Sequence, residues 1–268
     1  MPNFVCVTCG TQYPASETPP AHCPICEDER QYVGFNGQQW TTLDALKQDH
    51  KNEYVTFLPG MTAIRSLPKI GIGQRAFLIE SPSGNLLWDC ITLLDEATID
   101  FIQQRGGLKA IAISHPHYYS TMTEWSRTFE VPIYIHEAER QYVARMDDAI
   151  TFWEGETYPL WDDMTLIRCG GHYEGGQVLH WPAGNDGAGV LLTGDIIQVV
   201  PDRRYVSFMY SYPNLIPLPA SKVRHIVDAI EPYPFEQLYN AFDGGNILAD
   251  AKNAVRRSAD RYIAAITD

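Results

Sequence analysis

The sequence has no excess of basic residues. Twenty Lys and Arg stand against 33 Asp and Glu in 268 residues, a formal net charge of −13. Binding a phosphate backbone needs a basic stripe, so this balance argues against nucleic acid as a partner. Arg256, Arg257 and Arg261 do cluster, but within Ala249–Ile266, which reads as an amphipathic helix with a solvated charged face. No uncharged apolar run approaches the ~18 residues of a membrane span, so no membrane partner is expected. Met1-Pro2-Asn3-Phe4 opens neither a basic leader nor an apolar signal core, and a cytoplasmic protein is the expectation. There is no Walker loop and no solenoid repeat. Gly71-Ile72-Gly73-Gln74-Arg75-Ala76 has the outline of a dinucleotide fingerprint, but it runs into strand-like Ala76–Glu80 instead of opening a helix. Cysteine is scarce, with six in the chain. In a reducing compartment such cysteines are metal ligands or buried apolar residues more often than disulfides.

Four of the six cysteines lie within residues 1–36, as Cys6-x-x-Cys9 and Cys23-x-x-Cys26, with thirteen residues between the pairs. A tetrahedral thiolate site needs four sulfurs about 2.3 Å from one ion, and two such knuckles supply them with little backbone strain. The segment resembles a zinc ribbon and equally a rubredoxin-type knuckle pair, which holds one iron. Its simplest role is a structural zinc that staples a unit too small to fold alone. Cys90 and Cys169 are isolated and read as buried small apolar residues.

A linker from Gly34 leads into a short helix near Thr42–Lys47, and a second, larger domain is expected over residues 50–268. Ala76–Glu80 and Leu86–Cys90 flank a Ser-Pro-Ser-Gly-Asn turn and read as a hairpin. Helices are expected at Asp95–Arg105, Glu124–Phe129, Glu137–Met146, Lys222–Ile230 and Ala249–Ile266. Strands are expected at Ala110–Ser114, Val131–Ile135, Thr165–Arg168, Val178–Trp181 and Val190–Thr193. Short apolar strands covered by helices make a layered α/β domain.

Three of these strands end in metal-ligand residues. Ala110–Ser114 runs into His115-Pro116-His117. Thr165–Arg168 leads through Cys169-Gly170-Gly171 to His172. Val190–Thr193 ends in Gly194-Asp195. The carboxyl ends of strands are where α/β sheets place their sites, and three imidazoles plus a water describe a catalytic zinc.

Ser114-His115-Pro116-His117, Gly171-His172-Tyr173-Glu174-Gly175-Gly176-Gln177-Val178, Thr193-Gly194-Asp195 and Leu87-Trp88-Asp89-Cys90 occur in the order of the metallo-β-lactamase-fold hydrolases. The chain resembles that superfamily over about residues 55–245. The resemblance implies an αββα four-layer sandwich with His115, His117 and His172 as the first metal site and Asp195 as the aspartate shared between two metals. The chain departs from the family's HxHxDH. Tyr119 stands where Asp is expected, Ser120 stands where His is expected, and a late histidine is missing. A mononuclear centre is therefore expected, with zinc or iron in it. Two histidines plus Asp195 also make the ligand set of non-haem iron enzymes. The expected activity is a metal-dependent hydrolase acting on a small ester, thioester or lactone. The alternatives are an iron oxidoreductase and a binding protein with a decayed site. Asp195 is expected to hold the metal or orient its water, and Tyr119 or Tyr118 to donate a phenol to an oxyanion. Tyr118, Arg203, Tyr210 and Tyr212 are the expected substrate contacts. Self-association is left open.

Overall fold

Along Ala110–Ile113 the side chains alternate, Ala110 and Ala112 into one core, Ile111 and Ile113 into another. Leu86–Trp88 repeats the pattern, with Leu87 on one face and Leu86 and Trp88 on the other. A strand with apolar residues on both faces must be covered on both, which is why these segments sit in the middle of a sandwich. The structure is a computed structural model and describes residues 1–267.

One sheet has seven strands. In spatial order they are Ile150–Trp153, Ile133–His136, Ala110–Ala112, Leu86–Trp88, Ala76–Ile79, Met61–Leu67 and Lys51–Leu58. The other has six, ordered Thr157–Pro159, Thr165–Arg168, Gln177–Trp181, Val190–Leu192, Gln237–Tyr239 and Asn246–Ile247. Phe77, Trp88, Met164, Leu179 and Trp181 fill the space between them. Outside the first sheet lie helices Glu96–Gln103 and Met122–Phe129, contributing Ile102 and Trp125. Outside the second lie Ala220–Ile230 and Ala251–Ile266, contributing Val223, Ile226 and Val255. Helix, sheet, sheet, helix is the four-layer arrangement expected.

Local chemistry explains most boundaries. Thr42 caps Leu43–Asp49 by accepting from Ala45 N, and Asp95 caps Glu96–Gln103 by accepting from Thr98 N. The helix expected at Glu137–Met146 is instead a 3₁₀ turn over Glu137–Tyr142. The tighter winding accompanies a buried Glu139, whose carboxylate accepts from Gly175 N.

The N-terminal unit is a three-stranded sheet, Gln12–Ala15, Asn3–Cys6 and Trp40–Thr41. Its third strand comes from the segment read as linker. Val5 shares a small core with Leu46 of helix Leu43–Asp49 and with Ile70 and Leu93 of the larger domain, so the two parts meet across a packed seam.

Candidate metal centre

In the N-terminal unit the four cysteines are buried and unbridged, with their sulfurs within 4.8 Å of one another. Cys6 and Cys26 Sγ are 3.5 Å apart, and Cys9 and Cys23 Sγ are 3.6 Å apart. These separations are far beyond an S–S bond of about 2.05 Å. They approach the ~3.8 Å edge of a tetrahedron with metal–sulfur bonds of about 2.3 Å. The Tyr13 hydroxyl donates to Cys23 Sγ at 3.2 Å and the Gln38 amide to Cys6 Sγ at 3.1 Å, both favouring thiolate.

The second group is assembled from strand ends. His115, His117, His172 and Asp195 are buried, and one ligand atom from each lies within 4.8 Å of the others. Each imidazole is held through one nitrogen, leaving the other for the centre. His115 Nδ1 meets Ser114 Oγ at 3.0 Å, His117 Nε2 meets the Tyr173 hydroxyl at 3.0 Å, and His172 Nδ1 meets the Met209 carbonyl at 3.2 Å. Such partners fix ring orientation and tautomer in metal sites. The inward atoms His117 Nδ1 and His172 Nε2 are 3.2 Å apart, close to the ~3.3 Å edge expected for imidazoles about 2.0–2.1 Å from one tetrahedral ion.

The orphaned atoms test whether a cation fits. His115 Nε2 and Asp195 Oδ1 lie 3.0 Å apart, yet both are buried without a hydrogen-bond partner. They converge on a common point instead of bonding each other, as a shared cation requires. Burial, reinforced by the neighbouring imidazoles, keeps His117 well below the usual histidine range, and burial brings His172 down to about 4. Both are therefore neutral near neutral pH, the form in which an imidazole can bind a metal. Burial pushes Asp195 up, but the surrounding imidazoles more than offset this and hold it ionised.

Backbone geometry makes the convergence possible. Gly194 has φ +55°, and a Cβ there would lie 2.4 Å from Ser114 Oγ, so any side chain would push the Asp195 strand away from the His115 strand. Gln177 ties the two sheets together beneath the site. Its N–H donates to Ser114 O at 2.9 Å and its amide to Ile113 O at 2.7 Å.

Above the ligands is a cavity of about 230 Å³, with His117, His172 and Asp195 in its floor. Ile72, Tyr212, Pro213 and Phe242 give it apolar walls, and Gln31 and Gln198 add polar ones. Of the expected substrate contacts, Tyr212 lines this cavity. Tyr118 is fully buried with its ring edge-on to His115, centroids 4.5 Å apart, and its hydroxyl is buried without a hydrogen-bond partner. It supports the floor and does not line the cavity.

Three expected contacts lie elsewhere. Tyr119 is 1% exposed within the core under Met122–Phe129, and it borders a separate small cavity with Thr11 and Gln12. The 3₁₀ turn Pro116–Tyr118 sends it away from Asp195, so it is not the oxyanion donor expected. Arg203 is exposed beside Gly244 and does not reach the cavity. Tyr210 donates its hydroxyl to Glu29 at 2.5 Å and is spent on docking the N-terminal unit. Ser120 is committed too. Its hydroxyl accepts from Gln74 at 3.0 Å and donates to the Cys90 carbonyl at 3.3 Å.

The sequence reading missed Gln31, Gln198 and Phe242, which no motif marks, and Ile72, which lies in the Gly71–Ala76 stretch set aside as a false fingerprint. It also missed Tyr173, whose position directly after His172 was the available signal.

Fold and convergent ligands together define the class. The chain has the metallo-β-lactamase fold, with a degenerate HxHxDH and a four-cysteine N-terminal segment. The chain belongs to the family of the uncharacterized protein YmaE of Bacillus subtilis (strain 168), to which it is 50% identical over 268 residues, covering 99% of this chain and 97% of that protein. Among solved structures it is similar to VMB-1, with TM-score 0.60 and 12% identity over 80% of this chain and 98% of that one. It is also similar to the metallo-β-lactamase FIM-1 from Pseudomonas aeruginosa in its mono-zinc form, with TM-score 0.59 and 12% identity over 80% of this chain and 96% of that one. No family model matches.

Proposed function

We propose that the chain is a hydrolase with one catalytic metal ion, zinc, acting on a small ester, thioester or lactone, and that a second zinc in the four cysteines is structural. The observation that carries this reading is the convergence of His115 Nε2, His117 Nδ1, His172 Nε2 and Asp195 Oδ1 at the floor of a cavity. The replacement of the usual second-site ligands by Tyr119 and Ser120 supports a single ion, and the mono-zinc FIM-1 structure shows that this fold accommodates one. A zinc held there supplies an acidified water and polarises a carbonyl oxygen. The chain's own residues do the rest. Asp195 presents an ionised oxygen that can hold the ion or orient its water, and the Tyr118 hydroxyl beside it is buried without a hydrogen-bond partner. Ile72, Pro213 and Phe242 give the reacting centre an apolar wall. Neither Cys90 nor Cys169 offers a thiolate nucleophile, because both are buried and burial raises both thiols.

Iron is the second reading, favoured by the two imidazoles and one carboxylate, which also form the facial set of non-haem iron sites. The test is turnover of short uncharged esters, thioesters and lactones by the purified protein, with its metals identified by elemental analysis. The expected result is zinc, with chelator-sensitive hydrolysis that falls about 100-fold or more in His172→Ala. Iron at the histidine centre, or hydrolysis indifferent to both chelator and His172→Ala, overturns the reading.

A further inference from the structure

Two carboxamide oxygens of cavity-wall residues have no hydrogen-bond partner among the described residues. Gln31 is 5% exposed and its Oε1 is buried and unbonded, and Gln198 Oε1 is unbonded in the same way. A carboxamide offers both a donor and an acceptor and can turn end for end. Leaving one buried and unpaired is costly, so a polar wall group of this kind fits where a ligand completes it.

Gln31 belongs to the four-cysteine unit, five residues beyond Cys26, and that unit holds it firmly. Gln31 N donates to Asp28 O at 2.9 Å, while Asn214 from the larger domain donates to the Gln31 and Glu29 carbonyls at 3.0 and 2.9 Å. Ser211 donates to the Arg30 carbonyl at 3.2 Å.

The wall carries no cation. Among the described residues no Lys or Arg lines the cavity. Arg30 precedes Gln31, but its guanidinium is spent. It donates to Asp28 at 2.6 Å, to the Tyr142 hydroxyl at 2.8 Å and to the His172 carbonyl at 3.4 Å, and it lies 3.8 Å over the Tyr173 ring. Asp195 adds negative charge to the floor. Asp195 together with a hydroxide or thiolate on a divalent ion would balance that ion's charge, so a further substrate carboxylate or phosphate would find no protein cation to pair with.

We propose that Gln31, carried by the four-cysteine unit, acts with Gln198 to select an uncharged acyl substrate by hydrogen bonds to its polar edge, so that the N-terminal unit is part of the substrate site. This rests on the metal-dependent reading of the same cavity. The test compares two small thiols that share a metal-binding head and differ in charge, 2-mercaptoacetamide and mercaptoacetate. Binding to the metal-loaded full chain is measured by calorimetry, with affinities expressed per thiolate because the two thiols ionise differently. The amide is expected to bind at least about tenfold tighter. Gln31→Ala is expected to erode that preference, and Gln31→Lys, which supplies a cation, to turn it toward mercaptoacetate, with knuckle metal retained in both. Equal binding, or preference for mercaptoacetate in the wild type, overturns the proposal and leaves the metal centre standing. Absence of any metal at the histidine centre overturns both.

Discussion

Tyr173 shows how much a single position contributes without touching the reacting space. Its hydroxyl meets His117 Nε2 at 3.0 Å, and its ring carries the Arg30 guanidinium at 3.8 Å. One side chain thus orients a ligand and seats the N-terminal unit. Partners of this kind are worth about 10–100-fold in metal affinity. Tyr173→Phe keeps the ring and removes the hydroxyl. It is expected to weaken the histidine-centre ion by about that factor in a chelator competition, with little loss of thermal stability. Unchanged affinity contradicts the role. At this scale the ligands themselves were legible, because His115, His117, His172 and Asp195 each follow an apolar strand at its carboxyl end. Gln31 and Gln198 were not, since a glutamine outside any motif looks the same on a wall as on a surface. Tyr119 was misplaced because its sequence neighbours are the clustered histidines, while the chain after the 3₁₀ turn puts it into the core and not on the cavity wall.

Strands Leu86–Trp88 and Ala110–Ala112 run parallel, and the loops that leave them meet at Asp89. Asp89 donates its N–H to Ala112 O at 2.8 Å and accepts from Ser114 N at 2.7 Å, so it sets the height at which His115 emerges. Burial raises its carboxyl to about 7, although the Ser114 hydrogen bonds pull the other way. An acid raised in the folded state contributes stability that is full below its unfolded value, about 3.9, and is lost as pH rises toward 7. Asp89→Asn keeps an acceptor for Ser114 and removes the charge. Between pH 5 and 8 wild type is expected to lose stability relative to this variant in denaturant titrations. A wild type that instead gains on the variant as pH rises would show that the carboxyl is not raised. Among elements, the periodic helices were legible, and Leu43–Asp49 and Glu96–Gln103 overlap the stretches expected to be helical. The two-residue strands Gln198–Val199, Val206–Ser207 and Ile216–Pro217 are too short to carry a period.

On the scale of the molecule, two buried ligand groups sit in two structural units that share one pocket. The four-layer order was legible because apolar strands and amphipathic helices follow one another in the sequence of a known superfamily. The docking of the N-terminal unit was not. Its contacts join residues 142 and 181 positions apart, Arg30 with His172 and Arg30 with Ser211, and no local pattern predicts them. The missing HxHxDH ligands and the seated four-cysteine unit are what the proposal of one ion at the reaction centre and one in the scaffold rests on. Metal content per chain, determined by element in wild type and in His117→Ala, tests this most directly. Two ions in the wild type, falling to one in the variant with the cysteine-bound ion retained, are predicted. Three ions in the wild type, or the same content in both proteins, would contradict it.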